Sequence, residues 1–330
     1  MKKLHQLVIL AAAALTSLVF AFGASAQDRG TTVVKFGMPF PEVEYMPLYA
    51  AQQNGYFRDE HLSVENYALT TGDKITLALA SGSVDIGNYT PDWFVRAVEK
   101  GAEIKIVLGG SNVPVYSLVT RADIKSYADL KGKRVAVSAI KASDAYLIRK
   151  MLSSHGLQAA DYDLIQAGSS ADRAAALKAG SVSATLLIPP YDSVIINEGY
   201  KRLDVSTTTV TNYMWLASAV REDWARANKA TLIGFIRAWI KATRWVYDPK
   251  NKQDAVGILA RELKIEDRFA RIAYDMYFAS PTETVAKDGA IDLVGLQNLI
   301  DAIAEQGDIG PPTPKASKYV DLTYWQDAQK

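Results

Sequence analysis

The chain has 330 residues, 49% of them hydrophobic, with 37 Lys and Arg against 36 Asp and Glu and no cysteine. The near-balance of charge gives no basic surface that would argue for nucleic acid as a partner. Without cysteine there is neither a disulfide framework nor a thiol nucleophile, and the length leaves room for two lobes around separate sheets.

The first 26 residues read as an export leader. Lys2 and Lys3 precede an apolar run from Leu7 to Phe22, and the small residues Ala24-Ser25-Ala26 suit a cleavage site. That run is shorter than the roughly 20 residues a spanning helix needs. The expected product is a soluble, exported chain that begins at residue 27.

From Val33 short apolar runs alternate with amphipathic ones. VVKFGM predicts a strand, MPLYAAQQ a helix, LSVENYAL a strand and DKITLALAS a helix, an alternation that argues for an α/β fold with largely parallel sheets. A short strand at 84–87, a helix over 91–100 and a strand at 104–109 follow. Thr90 suits the N-cap, Pro91 the first helical position and Gly101 the exit. A second unit starts near residue 117, turns at 129–132 into a strand at 134–138, and continues in a helix over 144–154 with Ser143 as N-cap and Gly156 as the left-handed end. Ser169 and Asp172 stand at capping-box spacing before a helix over 171–178, with Gly180 after it and the strand SVSATLLI beyond. Past Tyr213 the chain turns helical: a pair over 221–247 stopped by Asp248-Pro249, then 254–262, 266–278 and 293–306. Its Trp, Phe and Ile residues at three- and four-residue spacing read as core. The Pro/Gly-rich stretch 307–319 reads as a surface connection, and 319–330 as a docked tail.

One phrase occurs twice. ALASGSVDIGNYTPDW (78–93) is echoed by ALKAGSVSATLLIPPY (176–191). In each copy a helix ends at glycine, a short strand follows, and the chain leaves at a proline beside an aromatic. Open α/β sheets bind ligands outside the carboxyl ends of their strands, so the two copies are expected to face each other, with Asn88, Tyr89 and Thr90 on one wall of a cleft and Pro189, Pro190 and Tyr191 on the other.

The stretches FGMPFPEVEYMPLYAAQQNGYFRDEHLSVE, LASGSVDIGNYTP, IKSYADLKGKRVAVSA and ALKAGSVSATLLIPPY resemble the periplasmic binding proteins for nitrate, sulfonates, taurine and thiamine-precursor pyrimidines, the soluble receptors of ABC importers. The resemblance covers about 33–198 well and the helical remainder loosely. It implies a two-lobed α/β fold of the type II-like periplasmic kind, with a helical C-terminal part and two crossover strands, expected near 116–120 and 213–218. Lobe one would hold 31–115 and 216–330, and lobe two 116–215. It also implies a periplasmic monomer that captures a small-molecule ligand as the lobes close, then presents it to an inner-membrane permease with its cytoplasmic ATPase. A small organic anion of the sulfonate or aromatic carboxylate type is the expected ligand, a thiamine-precursor-like pyrimidine the alternative. No cofactor or metal is expected.

Candidate ligand-binding residues follow from strand ends and from the resemblance. Phe40 and Tyr45 follow the first strand, where the resemblance places a cleft wall. Thr70 and Thr71 follow the second, offering hydroxyls and free N–H groups or, alternatively, only a helix cap. Ser138, Lys141 and Ser143 lie where a strand end meets a helix N-terminus, a place that favours an anion, although Asp144 could fill that charge role and leave Lys141 solvated. Asn88, Tyr89, Tyr191, Tyr213 and Trp215 would add an amide and flat surfaces.

A cleft enzyme is the competing class. The fold relatives that are enzymes, a fungal thiamine-pyrimidine synthase and a sulfinate desulfinase, require cysteine, and this chain has none. His5, His61 and His155 have no HExxH spacing, and there is no G-x-S-x-G elbow, P-loop or G-x-G-x-x-G fingerprint. No catalytic residue is expected.

Overall fold

A computed structural model describes residues 30–280 and 283–330; the expected leader lies outside the described residues. Strand and helix alternate in two passes. The first comprises β1 (Thr32–Met38), α1 (Met46–Gln53), α2 (Tyr56–Asp59), β2 (Leu62–Ala68), α3 (Gly72–Ser81), β3 (Ile86–Tyr89), α4 (Pro91–Glu99) and β4 (Ile104–Gly109). The second comprises β5 (Ser117–Thr120), β6 (Lys133–Val137), α5 (Ser143–Ser154), β7 (Tyr162–Gln166), α6 (Ser170–Lys178), β8 (Ala184–Leu187), α7 (Tyr191–Asn197) and β9 (Lys201–Val205). After β10 (Ala217–Arg221) the chain is helical: α8 (Glu222–Ala227), α9 (Lys229–Tyr247), α10 (Lys252–Leu263), α11 (Asp267–Phe278), α12 (Leu293–Glu305) and α13 (Thr323–Ala328).

The strands form two five-stranded sheets, ordered β2-β1-β3-β10-β4 and β7-β6-β8-β5-β9. Each is parallel in its first three strands and takes one antiparallel strand, β10 or β5, in fourth place. The repeated phrase has its structural meaning here: β3 and β8 hold the third place in their sheets. Gly82 (φ +78°) and Gly180 (φ +71°) make the left-handed exits from α3 and α6 that feed them.

Two adjacent segments, 110–116 and 206–216, carry the chain from one sheet to the other and back. Residues 117–120 and 217–218, expected at the crossings, are ladder strands on either side of them. The segments bind each other at both ends: Trp215 N–H donates to Ser111 O at 2.8 Å, Gly110 N–H to Leu216 O at 3.0 Å, and Ser206 N–H to Tyr116 O at 2.8 Å. These two paired segments form the hinge between the sheets.

Local signals account for some element starts. Ser169 and Asp172 form the expected capping box, and α4 begins at Pro91 after an extended Thr90. Ser143 departs from expectation: Ala142 holds the cap position and Ser143 is the first helical residue, because the neighbouring Asp144 turns back to accept hydrogen bonds from Ser138 N–H (2.7 Å) and Oγ–H (2.6 Å). α9 buries Phe235, Ile236, Trp239 and Ile240 and packs mainly on α1, and Phe235 stacks on Phe36 of β1 at 5.8 Å. Burying each such side chain stabilises by about 1.5–3 kcal/mol. The C-terminal tail docks on β4, with Ile106 N–H donating to Tyr319 O and Asp321 N–H to Ile106 O. Among the described residues no helix is long and apolar enough to cross a membrane.

Candidate functional site

A cavity of about 450 Å3 opens beside the hinge. Its walls are the loops that leave the carboxyl ends of β1, β2 and β3 in one sheet and of β6 and β7 in the other, closed by Tyr116, Trp215 and Leu216 from the crossings. This is the position at which open α/β sheets take ligands, and its size is that of a small-molecule pocket.

Eight of the expected residues line the cavity: Phe40, Tyr45, Thr70, Thr71, Tyr89, Ser138, Ser143 and Trp215. Tyr45 is buried, and its hydroxyl reaches Asn88 O at 3.4 Å. Tyr116 and Trp215 meet edge to face at 5.2 Å, a hinge contact that is also a cavity wall. Thr70 has a φ of +66°, a conformation that costs a β-branched residue on the order of 1–3 kcal/mol and persists only where the surroundings fix it. Its N–H is held by Pro39 O at 2.9 Å, and its hydroxyl accepts from Lys74 at 3.3 Å. The Ser143 hydroxyl is buried with no partner that meets hydrogen-bond geometry, although it stands near enough to Asp92 and Tyr213 to favour their ionised forms.

Four expected residues are placed elsewhere. Asn88 is buried in the sheet, its amide donating to Ser218 Oγ at 2.9 Å. Tyr213 is buried against Tyr146, with ring centroids 5.6 Å apart. Lys141 is 75% exposed and pairs with Asp308 at 2.9 Å. Tyr191, with Pro190, lines a separate and mainly apolar crevice between α6, α7 and the α10–α11 turn, so the second copy of the repeated phrase does not face the first across the cavity. The wall opposite Tyr89 and Thr90 comes instead from the loops after β6 and β7.

Apart from Asp144, the charged groups of the site were not singled out by sequence. Arg173, on α6, is 2% exposed. Its guanidinium donates to Leu186 O (3.1 Å), Gly168 O (2.6 Å) and Ser170 Oγ (3.2 Å), and lies 3.7 Å from the Asp144 carboxylate. Glu42 and Glu44, two residues apart on the segment before α1, are buried in the opposite wall. Burial pushes the Glu44 carboxyl up to about 7, against a hydrogen bond from Tyr277 that favours the ion. Burial, and next the charge of Glu44, hold Glu42 well above the usual carboxylate range, with Arg173 opposing. Asp92 is raised by burial as well, in spite of its ion pair with Arg96.

A bridge of charges spans the two passes beside this cavity. Asp308, after α12, binds Arg96 of α4 at 3.0 Å and Lys141 of the β6–α5 loop at 2.9 Å, and Arg96 also donates to Lys141 O at 3.2 Å. Among the described residues no cluster of His, Asp and Glu suited to a metal ion occurs.

Comparison with known proteins places this architecture. The chain is 25% identical over 247 residues, 72% of its own length and 74% of the other's, to YtlA of Bacillus subtilis (strain 168), which carries a binding-protein designation. It superposes on the periplasmic aliphatic sulphonate binding protein SsuA from Escherichia coli with a TM-score of 0.70, 19% identity, and coverage of 90% of this chain and 98% of that one. A fungal enzyme is also similar over a shorter stretch: the 4-amino-5-hydroxymethyl-2-methylpyrimidine phosphate synthase of Schizosaccharomyces pombe (strain 972 / ATCC 24843) is 26% identical over 126 residues, 38% of this chain and 36% of the enzyme. Residues 42–252, which contain the hinge and most of the cavity wall, match the sequence profile described as NMT1/THI5 like, and the chain belongs to that family.

Proposed function

We propose that this protein is the solute-binding component of an ABC importer, working in the periplasm and handing its ligand to an inner-membrane permease driven by a cytoplasmic ATPase. One observation carries the reading: a small-molecule cavity lies between two sheets whose only covalent links are the paired segments of the hinge. Bending at those segments opens and closes the cavity without unpicking either sheet. The structural likeness to SsuA, and the match of the chain to YtlA, support the same role.

The ligand class proposed is a small organic anion of the sulfonate or aromatic carboxylate type. Thr70, Thr71 and Lys74 at the start of α3 offer donors for an acidic group, and Tyr45, Tyr89, Tyr116 and Trp215 offer faces for a flat or apolar body. The lobe limits that accompany this reading are 31–115 with 216–330, and 116–215. A pyrimidine of the thiamine-precursor kind is the alternative, favoured by the similarity to the fungal synthase. Turnover is not part of the proposal, since the chain has no cysteine, which the enzymes of similar fold require.

A thermal-shift panel on residues 27–330 tests this, with sulfonates, nitrate, aromatic mono- and dicarboxylates and pyrimidines. A ligand at about 100 times its dissociation constant stabilises by about 2.7 kcal/mol, or several degrees. A response confined to acids supports the main reading, and one confined to pyrimidines supports the alternative. Silence from folded, ligand-free protein across the whole panel would overturn both.

A further inference from the structure

The cavity wall is poorly matched to a bare oxyanion. Among the described residues it carries four carboxylates, Glu42, Glu44, Asp73 and Asp144, against two cations, Lys74 and Arg173. Asp144 is satisfied by Ser138 and faces Arg173, while Asp73 is exposed at the start of α3. Glu42 and Glu44 differ from both. Glu44 is 4% exposed and accepts one hydrogen bond, from Tyr277 at 2.9 Å. Glu42 is 7% exposed and lines the cavity, yet no described residue hydrogen-bonds its side chain; its bonds run through the backbone, whose N–H donates to the Tyr49 hydroxyl and whose carbonyl accepts from Tyr45 N–H.

Nor does the protein supply these two carboxyls with a dedicated counter-ion. Arg173 acts on Glu42 but directs its donors to Leu186, Gly168 and Ser170 and its charge to Asp144. Burying two carboxylates without a counter-ion is unfavourable unless something else brings the charge. The rings of Tyr45, Tyr116 and Trp215 share the same cavity, and aromatic faces attract cations.

We infer, building on the solute-capture reading, that the solute presents a protonatable, N–H-bearing group to Glu42 and Glu44, which makes it an amine- or amidine-bearing organic acid. The cationic group supplies the counter-charge the wall lacks, and the acid end faces Thr70, Thr71 and Lys74. Because burial holds both carboxyls above their ordinary range in the empty protein, docking a cation lets them ionise and releases protons to solvent.

Matched pairs test this by titration calorimetry at pH 7: 4-(aminomethyl)benzoate against 4-methylbenzoate, and taurine against ethanesulfonate. The amine-bearing member is expected to bind at least about tenfold more tightly, with a net proton release visible as a difference between buffers of unlike ionisation enthalpy. Glu42→Gln and Glu44→Gln are expected to lose most of that preference. An amine-free acid that binds as tightly as its partner to the parent protein overturns the inference and leaves acid capture standing. If neither member of either pair and no acid of the wider panel binds, capture of this class falls and the inference falls with it.

Discussion

Arg173→Met is the most informative single change, because it removes a buried charge while keeping the volume of the stem. The guanidinium and the Asp144 carboxylate are each 3% exposed and 3.7 Å apart, and the variant leaves that carboxylate buried with only Ser138 to satisfy it. Breaking a buried pair from one side costs about 3–5 kcal/mol. The carbonyls of Leu186 and Gly168 also lose a donor, which places the cost toward the upper end of that span. At about 2 °C per kcal/mol for a chain of this size, the melting temperature is expected to fall by roughly 6–10 °C. Scanning calorimetry of parent and variant at pH 7 reads this directly. The double variant with Asp144→Asn should recover part of the loss, since the orphaned charge is then gone. A methionine variant that melts within about 1 °C of the parent would refute the account of Arg173 as a paired, buried cation.

Two further outcomes are expected. Glu44 keeps its proton in the folded state up to about pH 7, whereas the unfolded chain releases it near 4.5; the stability from that proton is full below pH 4.5 and is lost as pH rises through 7. At about 1.4 kcal/mol per unit the loss is on the order of 3 kcal/mol, so denaturant titrations at pH 5 and pH 8 should show the parent falling relative to Glu44→Gln, and parallel profiles would rule this out. Asp308→Asn removes the bridge to Lys141 and Arg96; it is expected to weaken binding of the best panel ligand by about 3- to 10-fold and to reduce the salt dependence of affinity. Unchanged affinity and salt dependence would show that the bridge has no part in holding the cavity closed.

The sequence was most legible where apolar runs were bounded by glycine, proline or a capping residue. The helix at 46–53 and the strand at 104–109 fall where the pattern puts them. β7 and β9 were not legible, because they are the two edges of the second sheet: YDLIQ and KRLDV are largely part-exposed and mix charge with apolar residues. The aromatic and hydroxyl wall of the cavity could be read from strand ends. Its charges could not. Arg173 sits in ADRAAALK and Glu42 and Glu44 in PEVEY, and charged residues in such contexts are by default solvated; tertiary packing buries them, Arg173 among Leu186, Gly168, Ser170 and Asp144 and Glu44 against Tyr277. The repeated phrase was informative about sheet order and misleading about the cleft, since a strand's place in its sheet does not fix which neighbour its exit loop meets.

The fourth place of the first sheet has a consequence for how the chain is made. β4 has no strand neighbour in that sheet except β10, so the sheet stays unfinished until residues 217–221 have left the ribosome. Everything the second sheet needs, residues 117–205, is contiguous and arrives earlier. At about 5–20 residues per second, the stretch 110–216 takes roughly 5–20 s to synthesise. Through that interval the first half of the chain cannot complete its sheet, so its folding waits on the second sheet.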